Sequence, residues 1–322
     1  MSQPAASPDG SGRGTVAIVT DARCRDHATG RHPECPERLT AIEDALRSDA
    51  ALAAKLRWTT SVSPVEREAL LRCHDAAHVN RVLAADGKEG AFDADTVFSP
   101  GSVEAARVAA GAVAETAGAA YRDLAQWQSA FCLVRPPGHH ATPSRAMGFC
   151  FFNNVAIAAR QIQSLGCGRV LIIDWDVHHG NGTQDIFYAD PSVFYYSLHL
   201  HPHYPGTGLA SERGTGPGEG FTLNRPLGHG TSAQRFREVF ERDLATILRD
   251  FEPEFVFISC GFDSHRLDPL GGLQLEDDDF AFLTRLVRGA MPERRVVSVL
   301  EGGYNLRAIG GAACAHVAAL GQ

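Results

Sequence analysis

The densest chemistry in this chain lies in the run Val170-Leu-Ile-Ile-Asp174-Trp-Asp176-Val-His178-His179-Gly-Asn181-Gly182. Four apolar residues read as a buried strand, and two carboxylates and two imidazoles follow at once. Side chains alternate along extended backbone, so Asp176 and His178 share a face. Both are ligand types for Zn²⁺. Asp263, past a second apolar run, completes a set of two carboxylates and one imidazole, which leaves a coordination position for water as a catalytic zinc site requires. The competing reading makes the aspartates turn caps and the histidine a core residue. It leaves unexplained why carboxylates sit directly after buried strands, where an unpartnered charge is costly.

Three further side chains bear on proton transfer. His139 and His140 follow Arg135-Pro-Pro-Gly, a rigid turn that can present two imidazoles to one cavity. Histidine exchanges protons near neutral pH, although two ordinary surface histidines would look the same. Tyr304 follows Gly302-Gly303, where the backbone can approach a ligand closely. A phenol there could donate to a developing oxyanion or be an aromatic plug, and the motif alone does not choose.

These motifs need a scaffold that brings them together. Strand-like runs cover residues 15–20, 131–134, 170–173, 193–197, 255–259 and 296–300. Helical patterns lie at 36–47, 102–121, 153–165, 232–251, 276–291 and 306–320. Alternation of this kind predicts an α/β fold, a parallel sheet covered by helices on both faces. The Gly- and Pro-rich stretch 199–226 reads as a long structured loop. The polar motifs follow strands, and ligands in such sheets bind at the carboxyl ends of strands. Residues 1–13 read as a disordered tail and 14–322 as one catalytic domain.

Composition narrows the function classes. The net charge of −8 argues against nucleic acid as a direct partner. No apolar stretch reaches membrane length and no secretory signal is present, so no membrane partner is expected. The eight cysteines include no C-x-x-C pair and read as reduced thiols of a soluble, cytoplasmic protein rather than zinc ligands.

Arg135–His140, Gly148-Phe-Cys-Phe-Phe-Asn-Asn154, Asp174–Gly182, Tyr204-Pro-Gly-Thr-Gly208, the segment from Gly261 to Gly272 and Glu301-Gly-Gly-Tyr-Asn-Leu306 occur in the order seen in the histone deacetylase family. From about Thr15 to Leu320 the chain resembles the class II and bacterial amidohydrolase-like members. The resemblance implies an arginase/deacetylase-like three-layer αβα fold with a central, mainly parallel eight-stranded sheet. It implies Zn²⁺ on Asp176, His178 and Asp263, with His140 as general base and then acid, His139 as its electrostatic partner, and Tyr304 polarising the acyl carbonyl. Asp174 would orient His139. Asn181 would face His140 where class I members carry aspartate, making His140 less basic. A potassium ion would match Asp174, Asp176, His178, Ser197 and Leu198, and a second Phe187, Asp190, Val193 and Phe221.

The same resemblance implies a tunnel walled by Phe149 and Tyr204, with Gly148 and Gly303 near the substrate. Asp95, or its neighbour Asp93, would grip the substrate backbone. Arg38 would line an acetate channel or be a solvated helix charge. Leu270 stands at a gate where polyamine-selective relatives carry glutamate. The implied reaction removes acetyl from N-acetylated amines, with acetyl-lysine in a protein or peptide first and acetylpolyamines or other small amides second. An inactive acetyl-lysine binding protein is the non-enzymatic alternative. Homo-oligomerisation and the role of His179 stay open.

Overall fold

The computed structural model describes residues 14–124, 127–291 and 295–322. The tail expected at 1–13 lies outside the described residues. In chain order the strands are β1 (Val16–Val19), β2 (Leu56–Thr59), β3 (Gly90–Ala91), β4 (Val97–Phe98), β5 (Ser129–Cys132), β6 (Val170–Asp174), β7 (Val193–Leu200), β8 (Thr222–Leu227), β9 (Phe255–Cys260) and β10 (Val296–Leu300). β3 and β4 form a small antiparallel ribbon. The other eight build one sheet in the order β2-β1-β5-β10-β9-β6-β7-β8, with every neighbouring pair parallel. Every residue of β1, β5, β6, β9 and β10 is buried, as helices on both faces of a parallel sheet require.

The two edge strands depart from the sequence reading. β2 and β8 are partly exposed and carry Arg57, Thr59, Asn224, Arg225 and Pro226, so neither shows an apolar run. Pro226 lacks an N–H and suits an edge. Most of the stretch 199–226 is loop, but β7 extends to Leu200 and β8 begins at Thr222. The six expected helices are present, some with local caps, while helices Ala76–Leu83 and Asn181–Phe187 were not expected. Asn153 Oδ1 accepts from Ala156 N (3.0 Å) at the start of helix Asn154–Gln163. Glu276 and Asp279 form a capping box for helix Asp277–Ala290. Helix Ser102–Tyr121 is buried along most of its length, which its small side chains allow.

A buried charge cluster ties the loops above the sheet together. Glu34 is fully buried and receives Arg135 in a bidentate pair, Nε to Oε1 and Nη2 to Oε2, both 2.6 Å. Arg38, on helix Glu37–Ser48, donates from Nη1 to Glu34 Oε1 (3.0 Å) and from Nε to the Gly303 carbonyl (2.6 Å). Its Nη2 donates to the carbonyl of Glu301. Arg38 is therefore buried and not a solvated helix charge. The cluster clamps the segments after β5 and β10 to the first helix.

Burial raises the Glu34 carboxyl, but Arg135 and Arg38 more than reverse this and hold it at about 2, below its ordinary 4.5. A depressed folded-state pKa contributes stability that is present above pH 4.5 and is lost as the pH falls through about 2. The shift corresponds to on the order of 3 kcal/mol. Glu34→Gln should cost about 3–5 kcal/mol near pH 7, because it leaves buried guanidinium charge uncompensated. In urea unfolding, the gap between the variant and the parent should narrow as the pH falls from about 4.5 toward 2. A gap independent of pH would remove the cluster from its stabilising role.

Candidate active site and metal centre

Because all eight strands of the sheet run parallel, their carboxyl ends share one edge, and five polar motifs meet there. β6 ends in Asp174, with Asp176 and His178 just beyond it, and Asp263 follows β9. His178 Nδ1 lies 3.0 Å from Asp176 Oδ1 and 3.2 Å from Asp263 Oδ2. One ligand atom from each of the three residues falls within 4.8 Å of the others, and all three residues are buried. Asp176 Oδ1 accepts from His178 N (2.9 Å) and its Oδ2 from Gly302 N (2.7 Å). Asp263 Oδ1 accepts from Val177 N (2.9 Å). Asp263 Oδ2 accepts no hydrogen bond, even with His178 Nδ1 close by.

That orphaned oxygen decides what the cluster suits. Burial and the neighbouring Asp176 charge push Asp263 up to about 7. Burial pulls His178 down, but Asp176 and Asp263 push it up to about 10. Two buried carboxylates and an imidazole with converging lone pairs fit a divalent cation, which neutralises the pair and displaces the imidazole proton. Gly302 keeps the space open, since a Cβ there would collide with Oδ2 of both Asp176 and Asp263.

The paired histidines occupy the adjoining wall, with ring centroids 4.0 Å apart. His139 Nδ1 donates to Asp174 Oδ2 (3.0 Å), which also accepts from the Tyr195 hydroxyl (3.0 Å). Burial lowers His139, and the Asp176 and Asp174 carboxylates more than compensate, raising it to about 10. His140 Nδ1 donates to Asn181 Oδ1 (2.8 Å), while Asn181 Nδ2 reaches Met147 Sδ (3.5 Å). Burial and the charges of His139 and His178 hold His140 well below its ordinary value. The two adjacent imidazoles are thus pushed in opposite directions, His139 up and His140 down.

These groups open into a cavity of about 550 Å³ lined by His32, Asp95, His140, Gly148, Phe149, His178, His203, Tyr204, Leu270 and Tyr304, among others. Phe149 sits at φ 69°, an unusual conformation for a bulky side chain. Its N–H donates to Thr96 Oγ1 (3.1 Å), and its ring meets Tyr304 edge-on at 5.9 Å. Gly148 precedes it at φ 55°, where a Cβ would meet the His140 ring. Tyr204 packs edge-on against His140 at 5.1 Å. Asp268 Oδ2 accepts from Tyr304 N (2.6 Å) and Asn305 N (3.1 Å), fixing the turn that presents the phenol. Burial pushes that phenol well above its ordinary pKa, so it stays protonated.

The structure separates residues that the sequence left in question. Asp93 Oδ1 accepts from Asp95 N (3.2 Å) and Thr96 N (2.7 Å) and so caps its own turn, while Asp95 lines the cavity. Gly303 is buried, with its carbonyl held by Arg38. His179 faces behind the site, its Nδ1 2.8 Å from Thr207 Oγ1 and its Nε2 3.1 Å from Gln184 Oε1. Ser197 and Leu198 lie on β7 beside Asp174, with Ser197 Oγ 2.9 Å from His199 Nδ1. Phe187 and Val193 are buried and Phe221 half-buried, while Asp190 accepts from Arg160 (2.6 Å) and Ser192.

Sequence reasoning missed Glu301 as a positioning residue. Its Oε2 accepts from Gly138 N (2.7 Å) and His139 N (3.1 Å), and its Oε1 from Ser259 Oγ (3.1 Å), so it sets the His139-His140 turn. The signal was available, since a carboxylate directly after the apolar strand β10 poses the same difficulty as Asp263. His203, stacked on His178 at 4.9 Å, was missed as well.

Residues 32–320 match the histone deacetylase domain family. A Synechocystis protein of uncharacterised function is 42% identical over 297 residues, covering 90% of this chain and 94% of that one. The histone deacetylase-like amidohydrolase of Pseudomonas aeruginosa is 38% identical, covering 90% of this chain and 82% of that protein. The crystal structure of the HDA15 HD domain superposes with a TM-score of 0.89 at 37% identity, covering 95% of this chain and 88% of that one.

Titration with Zn²⁺ should give one tight site per chain. At about 1,000 times the dissociation constant, the ion should add about 4 kcal/mol to unfolding stability. Asp263→Ala should abolish tight binding, and Gly302→Ala should weaken it because the new methyl group occupies the carboxylate cradle. Undiminished binding by Asp263→Ala would rule out this ligand set.

Proposed function

The chain belongs to the histone deacetylase domain family, and from that membership we propose that it is a zinc-dependent amidohydrolase removing acetyl groups from N-acetylated amines, acetyl-lysine side chains above all. One observation carries this reading: two touching imidazoles divide between a charged and a neutral partner, His139 on the Asp174 carboxylate and His140 on the Asn181 carboxamide, beside the cluster Asp176, His178 and Asp263. A simple metal store has no use for that division of charge, whereas amide hydrolysis needs a proton acceptor beside an electrophilic centre.

Asp176, His178 and Asp263 would hold the zinc, which when bound supplies Lewis acidity that acidifies water and polarises a carbonyl. His140, with Nδ1–H committed to Asn181, accepts the proton of the attacking water at Nε2 and returns it to the departing amine. His139, held cationic by Asp174, offsets the negative charge that develops nearby. Tyr304 donates its hydroxyl proton to the acyl oxygen as that oxygen gains charge. Acetate and free amine are the products. Phe149 and Tyr204 flank the aliphatic chain, and Asp95 accepts from the substrate backbone. Leu270 offers no partner to the second cation of a polyamine, which favours acetyl-lysine. Potassium at Asp174, Ser197 and Leu198 is part of the same reading, as is one catalytic domain spanning 14–322. No described helix is long and apolar enough to cross a membrane. All eight cysteines are free thiols, which supports a cytoplasmic setting.

The test is turnover of acetyl-lysine peptides, acetylputrescine, acetylspermidine and longer acyl-lysines by zinc-loaded protein. Tyr304→Phe should lower kcat on the preferred substrate about 10²- to 10³-fold while zinc content and KM change little. Full activity in that variant would remove the oxyanion role. Hydrolysis confined to polyamines would overturn the acetyl-lysine assignment, and no amide turnover at all would overturn the enzyme.

A further inference from the structure

His179 takes no part in the proposed proton transfers, yet it is buried and both of its ring nitrogens are engaged. The direction of its bonds follows from a carboxylate, which can only accept. Glu212 Oε2 accepts from Gln184 Nε2 (2.7 Å). Gln184, on helix Asn181–Phe187, must therefore turn its Oε1 the other way. There Oε1 accepts from Asn224 Nδ2 on β8 (2.7 Å) and from His179 Nε2 (3.1 Å). With its proton on Nε2, His179 accepts at Nδ1 from the Thr207 hydroxyl (2.8 Å). Glu212 also accepts from the backbone N–H groups of Gly208 (3.1 Å) and Leu209 (3.0 Å). The bonds leave the loop at Thr207 and return to it at Gly208 and Leu209, forming one closed and directed ring.

Gly208 is the residue most tightly held. It stands at φ 88°, and a Cβ there would overlap His199 Nε2 and the ring of His179. Its carbonyl accepts from His199 Nε2 (2.9 Å), and the His199 and His179 rings lie 4.8 Å apart. Tyr204 stands four residues upstream, edge-on to His140 at 5.1 Å and to His178 at 6.1 Å. Gly206 N donates to the His203 carbonyl (2.8 Å), closing the turn that carries Tyr204. On the other side of that turn, His203 Nε2 donates to the carbonyl of Leu270 (3.0 Å), which lines the same cavity. Tyr204 is 38% exposed, so the bonds at the two ends of its turn, and not enclosure, fix where its ring stands.

We propose that His179, Gln184 and Glu212 are positioning residues for the tunnel wall, fixing segment 207–209 and through it the place of Tyr204 against the aliphatic chain of the substrate. The inference rests on the amidohydrolase reading and gives His179 a task separate from the metal cluster beside it. A tunnel wall touches the chain in the ground state and the transition state alike, so displacing it weakens binding without slowing the chemical step.

The test exchanges the two ends of one bond in the ring. Glu212→Gln brings two carboxamide donors together, and Gln184→Glu brings two carboxylates together. The double variant Glu212→Gln/Gln184→Glu restores a donor facing an acceptor and keeps acceptors for Asn224, His179, Gly208 and Leu209. KM and kcat are measured with zinc-loaded protein on the parent's best substrate among acetyl-lysine peptides and acetylpolyamines. Each single variant should raise KM about 5- to 10-fold with kcat within about twofold and zinc content unchanged. The double variant should return KM to within about twofold of the parent. Thr207→Val, which opens the ring at its other end, should raise KM in the same direction. A ring that serves stability alone would lower the urea midpoint of these variants and leave KM where it was. That result, or a raised KM that the exchange does not reverse, would overturn the positioning role. A parent that turns over no amide overturns the amidohydrolase reading, and the positioning role with it.

Discussion

Four carboxylates, those of Asp174, Asp176, Asp263 and Glu301, lie buried at one end of a single sheet. Like charges at such separations repel strongly in a medium of low polarity, and the surrounding structure is organised around that repulsion. Asp174 is satisfied by His139, Tyr195 and the N–H of Asp176. Glu301 takes two backbone N–H groups and a serine hydroxyl. Asp176 is bonded by the N–H groups of His178 and Gly302. After these assignments one oxygen remains, Asp263 Oδ2, beside a carboxylate and an imidazole. A cluster able to hold a metal ion is what is left when the other carboxylate oxygens have been satisfied.

The scaffold makes this concentration possible. A wholly parallel sheet sends the ends of β5, β6, β7, β9 and β10 to the same edge, so residues far apart in sequence meet there. The Glu34, Arg135 and Arg38 cluster then fixes where the segments after β5 and β10 come to rest. The histidine turn and the tyrosine turn are held from behind, through Arg135 and Arg38, by the same buried carboxylate.

What could be read from the sequence divides along physical lines. Interior strands announce themselves because both faces are buried, and β6, β9 and β10 read as predominantly apolar runs. β2 and β8 did not, because an edge strand alternates with solvent and tolerates arginine, asparagine and proline. The cluster Asp176, His178 and Asp263 was legible since its cost follows from residue type and position alone. The roles of Arg38, Glu34 and Glu301 were not, because a buried charge looks like a solvated one until its partners, up to 265 residues away, are in place. Asp93 and Asp95 were indistinguishable by type, and only the hydrogen bonds within their turn separate them.

The proline of β8 also bears on how copies of this chain can meet. An open sheet ends in unpaired backbone groups that could template another strand and lead to ribbon-like aggregation. At this end of the sheet, Pro226 removes a donor from the row, and the glycines at 228 and 230 follow directly after the strand. A second molecule adding here would face an incomplete ladder. Self-association at this end is thereby directed away from backbone pairing and toward side-chain surfaces, which point mutations can tune without disturbing the sheet that carries the chemistry.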